Sequence, residues 1–271
     1  MKIPLAGVIG APIGHSRSPA LHGYWLRHYG IRGHYIPMEV APGDLAQVLA
    51  ALPKAGFVGC NITIPHKEAA LALADQVSDD VRRIGAANTL SFTADGIHAD
   101  NTDGYGFIAN LRSGAPDWDP AAGPAAVIGA GGAARAIVVA LRDAGCPEIR
   151  ITNRTDARAA ALAEEFGLRA LPWGQRGDSL DGVALAVNTS SMGMAGKDAF
   201  DVPLDALPPE AVATDIVYTP LITPFLAAAQ ARGCPIVDGL GMLLHQAAPG
   251  FRRWFGHRPE VTPALRNAVL A

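Results

Sequence analysis

Short apolar runs and amphipathic stretches alternate along most of the chain, and that alternation predicts strands and helices in turn. Residues 5–10 (Leu-Ala-Gly-Val-Ile-Gly) form an unbroken apolar run, as a strand buried on both faces does. A loop follows at 11–17, and Ser18-Pro19 predicts a helix start with Ser18 as N-cap and Pro19 at the first helical position. Leu21, Trp25 and His28/Tyr29 share one side of that helix, and Gly30 suits its left-handed end. A second strand is expected at 34–40, then a helix at 42–52, where Leu45, Val48, Leu49 and Leu52 keep helical spacing. A third strand at 57–64 stops at Pro65, which opens a helix at 66–74. Residues 88–92 and 97–99 flank Asp95-Gly96 and predict a hairpin, and 101–104 leads into a helix at 105–111.

The segment 113–123 carries Pro116, Pro120 and two glycines and breaks the rhythm, so a domain boundary is expected there. Beyond it, strands are predicted at 125–128, 148–152, 183–187, 211–217 and 235–237, with helices at 136–141, 155–166 and 223–232 among them. Residues 240–255 read as a helix that Pro249-Gly250 should kink or restart, and 262–270 as a last helix. Strands alternating with helices throughout imply an α/β protein with two largely parallel sheets. The chain shows no internal repeat and no low-complexity tract.

Where the rhythm resumes, Gly129-Ala130-Gly131-Gly132-Ala133-Ala134 fits G-x-G-x-x-G/A between a strand and an Ala-rich helix. Gly129 permits the turn off the strand, Gly131 lets a pyrophosphate approach the backbone, and Ala134 lets helix and strand pack closely. The helix N-terminus offers free N–H groups and the positive end of a dipole. A Gly-rich turn used only for packing is the plainer alternative, but readable strand and helix flanks favour a dinucleotide. No G-x-x-x-x-G-K-[ST] occurs.

Bulk properties narrow the remaining classes. At 271 residues with 49% hydrophobic and 17% charged side chains, the chain can bury two modest cores. A net charge of -3 argues against nucleic acid or an anionic membrane as partner. Cys60, Cys146 and Cys234 are odd in number and form no C-x-x-C, so neither a disulfide framework nor a zinc site is expected, and a reducing interior is. The eight histidines show no metal spacing, so no metal is expected. The N-terminal stretch 1–10 is interrupted by Pro4, Gly7 and Gly10, with Pro12 following, and reads as a first strand rather than a signal peptide. No apolar run reaches the roughly 18 residues a spanning helix needs.

Polar side chains gather where the predicted strands end, the usual place for a ligand in an open α/β sheet. Ser16 and Ser18 flank Arg17, and by themselves serve a loop and a helix cap as well as a ligand. Asn61 and Thr63 occupy alternate strand positions and should face the same way. Lys67 lies in the first turn of a helix, where the dipole disfavours a cation. Asn88 opens the hairpin, Asp103 precedes Gly104 as a turn former or cap could, and Gln246 puts a long amide on an apolar helix face, where it needs partners.

In order along nearly the whole chain, these stretches resemble the shikimate dehydrogenase family. They are Ser16-Arg-Ser-Pro19, Asn61-Ile-Thr-Ile-Pro-His-Lys67, Gly85-Ala-Ala-Asn-Thr89 and Asn101-Thr-Asp-Gly104 in the first half. The second half adds the glycine loop, Asn153-Arg-Thr155, Asn188-Thr-Ser-Ser-Met-Gly-Met194, Asp215-Ile-Val-Tyr218 and Asp238-Gly-Leu-Gly-Met-Leu-Leu-His-Gln246. The resemblance implies a substrate domain at 1–112 completed by 240–271, and a Rossmann NADP domain at 113–239. It implies reversible NADPH-dependent reduction of 3-dehydroshikimate to shikimate, on the cytoplasmic route to chorismate and the aromatic amino acids. Catalysis falls to Lys67 and Asp103. Ser16, Ser18 and Tyr218 take the substrate carboxylate; Asn61, Thr63, Asn88, Asp103 and Gln246 hold ring hydroxyls. NADP lies on Gly129–Ala134, Asn153, Arg154, Thr155, Arg158, Ile216 and Gly239, with Asp79 near the nicotinamide. Arg154 and Arg158, at i and i+4, should share a helix face toward the 2′-phosphate. A quinate/shikimate dehydrogenase and a catalytically silent NADP-binding regulator are the rival readings, and the oligomeric state, a homodimer included, stays open.

Overall fold

The computed structural model describes residues 3–271, and the chain divides into two compact units, one of residues 1–103 with 243–271 and one of residues 104–242. Met1 and Lys2, the head of the stretch weighed as a signal peptide, lie outside the described residues. The expected boundary in the 113–123 segment differs from this division, which falls inside a helix, Asp103–Gly114. Beyond Asp103 that helix packs in the second unit: a Cβ on Gly104 would come 3.0 Å from the Ala140 methyl.

The first unit is built from β1 (Leu5–Gly10), α1 (Ser18–His28), β2 (His34–Glu39), α2 (Leu45–Ala51), β3 (Phe57–Ile62) and α3 (Lys67–Ala72). Then come β4 (Gln76–Val77), α4 (Asp79–Ile84), β5 (Thr89–Thr93), β6 (Gly96–Asp100) and the start of α5 (Asp103–Gly114). Its sheet has the order β2-β1-β3-β5-β6-β4. The expectation of a largely parallel sheet holds for β2, β1, β3 and the β4–β6 pair; β5 runs antiparallel to β3 and β6 because the 88–100 hairpin is inserted there. β1 lies between β2 and β3 and is buried almost throughout, which explains its unbroken apolar run.

Two elements of the first unit have no counterpart in the hydrophobic pattern, β4 and α4. Yet α4 carries its end signals: the Ser78 hydroxyl accepts from Val81 N, Asp79 and Asp80 fill the first turn, Arg82 and Arg83 the last, and Gly85 closes it at φ 73°. Six residues with two buried side chains are too few for periodicity to reveal. At α1 the cap differs from expectation. The N-cap is Arg17 and Ser18 is already helical, while the Ser16 hydroxyl accepts from Ser18 N at 3.3 Å.

The second unit carries β7 (Ala125–Ile128), α6 (Gly132–Ala144), β8 (Ile149–Thr152), α7 (Asp156–Phe166), β9 (Arg169–Ala170), β10 (Leu185–Asn188), β11 (Val212–Asp215), α8 (Pro224–Ala231) and β12 (Ile236–Val237). All strands are parallel in the order β12-β11-β10-β7-β8-β9. Counted within the unit this is 6-5-4-1-2-3, the doubly wound order, and it reverses between β7 and β10.

The chain ends in α9 (Leu240–Phe255) and α10 (Pro263–Leu270), and from Leu243 onward it belongs to the first unit. The helix does not restart at Pro249: α9 is continuous through it. Gly250 lets the Trp254 indole lie against the backbone there, where a Cβ would come 3.0 Å from the ring. Phe251 and Trp254 are buried with Trp25, Tyr35 and Leu21 on one side of the first sheet; Leu45, Leu49 and Ile62 pack on the other.

Candidate active site

Five of the polar residues singled out from the sequence form one connected cluster in the first unit. Lys67 is the first residue of α3, and its side chain is 15% exposed. Its ammonium donates to Asp103 Oδ2, which lies at the start of α5 and is 7% exposed. The unfavourable helix-start position of the cation is therefore offset by a carboxylate. His66 holds α3 in place, its Nε2 hydrogen-bonded to Val40 O at 2.8 Å, and Ala87 N donates to Lys67 O at 2.9 Å.

Asn88 is the hub. Its Nδ2 lies 2.7 Å from Asp103 Oδ1, 3.1 Å from Thr102 Oγ1 and 3.2 Å from Gln246 Oε1. Its Oδ1 accepts from Thr102 N at 2.9 Å and Thr89 Oγ1 at 2.8 Å. Gln246 thus has the partners its apolar helix face demanded, with Nε2 donating to Leu243 O at 3.1 Å. Asp103 is held at its backbone too, where Asn101 Oδ1 accepts from Asp103 N at 3.0 Å. Asn61 joins through its amide, Nδ2 donating to Asn88 O at 3.1 Å and Thr89 Oγ1 at 3.2 Å, while Tyr35 donates to Oδ1 at 2.7 Å.

Not every candidate joins this cluster. Thr63 lies one residue past β3; its N donates to Ile9 O at 2.9 Å and its methyl covers Gly10, so the shared strand face expected with Asn61 is not what fixes it. Asp79 is exposed and paired with Arg82 at 2.8 Å. Tyr218 belongs to the second unit. Sequence reasoning missed Tyr35, Thr89 and Thr102 as cluster members. Thr89 and Thr102 stood inside quoted motifs, whereas Tyr35 sits in β2 outside any of them.

The glycine loop of the second unit fits a dinucleotide phosphate on its own geometry. Gly129 leaves β7 at φ 115°, a left-handed conformation, and a Cβ there would come 2.6 Å from Thr189 Oγ1. Gly131 is exposed, and a Cβ there would meet nothing within 4 Å, so the loop faces open space. It caps the 13-residue α6 without any side-chain hydrogen bond, leaving first-turn N–H groups free for an anion. Ala134 is fully buried against the sheet. At the end of β8, Arg154 and Arg158 are both exposed. They do not share a helix face as expected, because Thr155 is the N-cap in an extended conformation and Arg154 precedes the helix. Arg154 pairs with Asp198 at 2.5 Å, and Asp156 accepts from Trp173 N at 2.7 Å.

Behind the loops at the switch point lies Asp215, 1% exposed, which sequence reasoning noted only as part of a motif. It accepts from Asn188 Nδ2 at 3.0 Å, Val217 N at 2.9 Å and Thr223 Oγ1 at 2.7 Å. Burial pushes its carboxyl up to about 6, with those neutral donors pulling the other way. Gly239 is the close-approach point of the next segment, where a Cβ would come 2.6 Å from Asp215 O and Ile216 O. Among the described residues no group of three or more His, Cys, Asp or Glu is placed to hold a metal, and no helix is long and apolar enough to cross a membrane.

A doubly wound nucleotide-type unit joined to a second α/β unit carrying a lysine–carboxylate pair is the arrangement of a two-domain α/β dehydrogenase. Comparison with known proteins narrows the class. Residues 8–90 match the model of the shikimate dehydrogenase substrate binding domain, 120–176 that of shikimate / quinate 5-dehydrogenase, and 239–270 that of the shikimate 5'-dehydrogenase C-terminal domain. The shikimate dehydrogenase (NADP(+)) of Cereibacter sphaeroides is 65% identical over 274 residues, covering 100% of this chain and 98% of that protein. That of Paracoccus denitrificans is 65% identical over 271 residues, covering 99% and 96%. Among solved structures, shikimate 5-dehydrogenase from Thermus thermophilus, in complex with NADP(H) and shikimate, superposes with a TM-score of 0.88 at 41% identity, over 99% of both chains. Quinate dehydrogenase from Corynebacterium glutamicum, in complex with NAD, gives 0.89 at 31% identity, again over 99% of both. The chain belongs to the shikimate dehydrogenase family.

Proposed function

We propose that this protein catalyses the reversible NADP-dependent reduction of 3-dehydroshikimate to shikimate, as an oxidoreductase acting on a CH–OH group. The observation that carries the reading is the largely buried Lys67–Asp103 pair, tied through Asn88 to Gln246. The nicotinamide supplies the hydride. Reduction leaves negative charge on the substrate oxygen, which needs a nearby cation and a proton, and the Lys67 ammonium provides both at Nζ. In the oxidative direction neutral Nζ takes the proton back. Asp103 keeps Nζ from swinging away, and Asn88 fixes Asp103 from its other oxygen. Ser16, Ser18 and Tyr218 are assigned to the substrate carboxylate, Asn61, Thr63, Asn88, Asp103 and Gln246 to ring hydroxyls, and Asp79 to the nicotinamide side. We assign residues 1–103 with 243–271 to the substrate and 104–242 to the cofactor. A cytoplasmic, homodimeric enzyme of aromatic amino acid synthesis completes the proposal, and light scattering reads the assembly.

The test is NADP reduction by shikimate with purified protein; a protein that binds NADP but turns over no shikimate would be the silent regulator. Quinate is the second substrate to try, because a matched family model and a solved relative both carry its name. Quinate bears an extra hydroxyl on the ring carbon that carries the carboxylate, and Ser18 is only 5% exposed, so shikimate should be turned over well ahead of quinate. Ser18→Gly should narrow the difference; equal turnover by the unaltered protein makes it a quinate/shikimate dehydrogenase.

Cofactor choice gives a further expected result. No acidic side chain ends β8, where an NAD-selective site places one; Asn153, Arg154 and Thr155 stand there, with Arg158 in the first turn of α7. The Arg154–Asp198 pair has side chains 58% and 68% exposed, and such a pair is worth about 0–1 kcal/mol, less than a charge-assisted bond to phosphate at about 1.5–3 kcal/mol. Arg154 therefore exchanges Asp198 for a 2′-phosphate readily. Arg154→Ala should raise the NADP Michaelis constant roughly tenfold and leave that of NAD almost unchanged. A parallel loss for both cofactors would refute the assignment.

A further inference from the structure

We infer that Tyr35 is a specificity-determining positioning residue: its hydroxyl holds the oxygen of Asn61, which is an acceptor, and only an acceptor, toward the substrate. The inference rests on the reading of Asn61 as a substrate residue. Tyr35 is the one fully inward side chain of the edge strand β2 and is 7% exposed. Its ring is placed by the core, stacked on His22 with centroids 3.9 Å apart and planes within 4°. Burial holds its phenol protonated, well above the usual value, with the Cys60 thiol adding to this and the Ser18 side chain opposing it, so the hydroxyl keeps a proton to donate.

An amide is nearly symmetric in shape, and only its partners decide which end is oxygen. Asn88 O can only accept, so Asn61 Nδ2 must face it, at 3.1 Å, with Thr89 Oγ1 at 3.2 Å as the second acceptor. Both amide hydrogens are then committed. Asn61 Oδ1 takes the Tyr35 proton at 2.7 Å and keeps one lone pair. A ligand group at Asn61 must therefore donate. A ring hydroxyl satisfies that, whereas a ketone oxygen cannot, so Asn61 serves a hydroxyl that stays a hydroxyl through the reaction. Lys67 and Asp103 are left to the oxygen that changes.

The test uses the full-length enzyme with shikimate and two analogues in which one or other non-reacting ring hydroxyl is replaced by fluorine, which cannot donate. For one of them the wild-type protein should lose at least tenfold in kcat/KM. Tyr35→Phe keeps the ring on His22 and removes only the hydroxyl, so the shikimate Michaelis constant should rise several-fold. The NADP constant should hold, and the penalty for that fluoro analogue should shrink, because an Asn61 oxygen no longer held by the phenol gains less from the hydroxyl that the analogue lacks. Thr89→Val frees an amide hydrogen without touching Tyr35 and should shrink the same penalty, which covers poor folding of Tyr35→Phe. An unchanged penalty in both variants would overturn the inference. If the wild-type protein fails on shikimate itself, the reading of function fails instead.

Discussion

Lys67→Met should lower turnover by roughly 10²–10⁴-fold, the usual worth of general acid–base catalysis, or about 3–5 kcal/mol of barrier. Lys67 acts when the substrate oxygen becomes anionic, and an interaction made only then shows in kcat, while uniform binding contacts show in the Michaelis constant. Asn61, Asn88 and Gln246 remain, so shikimate binding should weaken only modestly. Asp103 loses its cation but keeps Asn88 Nδ2 at 2.7 Å, so the fold should survive. Circular dichroism and NADP binding, assigned to the other unit, are the controls. Lys67→Arg separates charge from proton transfer: guanidinium keeps the cation but does not give up a proton. Turnover near wild type in Lys67→Arg would leave Lys67 as a charge alone. Retention of more than about a tenth in Lys67→Met would remove it from the chemistry.

The second large effect concerns acid stability. His22 is 0% exposed among Tyr35, Trp25, Phe251 and Trp254, and neither ring nitrogen has a hydrogen-bond partner among the described residues. Burial pushes its pKa down from 6.5 to about 3. A histidine depressed in the folded state contributes stability that is present above pH 6.5 and lost as the pH falls from 6.5 toward 3, because only the unfolded chain takes up the proton. At about 1.4 kcal/mol per pH unit the full loss is on the order of 5 kcal/mol, comparable to a domain's whole stability. Asp215 works in the reverse sense. Its carboxyl is raised from 3.8 to about 6, so its contribution is present at low pH and is lost as the pH rises through 6. The two groups sit in different units, so acidification should melt the first unit ahead of the second. His22→Phe, which preserves an aromatic stack, should gain about 2 kcal/mol over wild type at pH 5 relative to pH 7 in urea melts. An identical pH dependence in the two proteins would dismiss His22 as the acid trigger.

Much of this was legible because the sequence repeats its instructions at several levels. The run Ala125–Ile128, the small residues after it and the Ala-rich helix agree, so the nucleotide-type half was readable from a window of about twenty residues. Lys67 was visible as a charge in the wrong place on a helix, and Gln246 as an amide on an apolar face. What stayed hidden was local structure without periodicity, or contact without sequence proximity. α4 is too short for a hydrophobic stripe, and the antiparallel insertion of β5 depends on which edge the hairpin finds. Tyr35 reads as an ordinary strand aromatic; its role appears only once β2 and β3 flank β1 and bring it to Asn61. The Ser18 cap was misplaced by one residue, because Ser16 can supply the same oxygen from two positions earlier.

The first unit is discontinuous in sequence, and this has a consequence for a chain made from its N-terminus onward. Trp25 donates to Glu260 O at 3.0 Å, and Trp254 donates to Leu90 O at 3.0 Å. The aromatic cluster around His22 thus has no Phe251 or Trp254 until the chain has been made past residue 254, and its apolar surface waits exposed until then. Residues 104–242 are contiguous and can bury their own core beforehand. The order of synthesis and the order of completion are therefore inverted: the half that emerges first from the ribosome closes last.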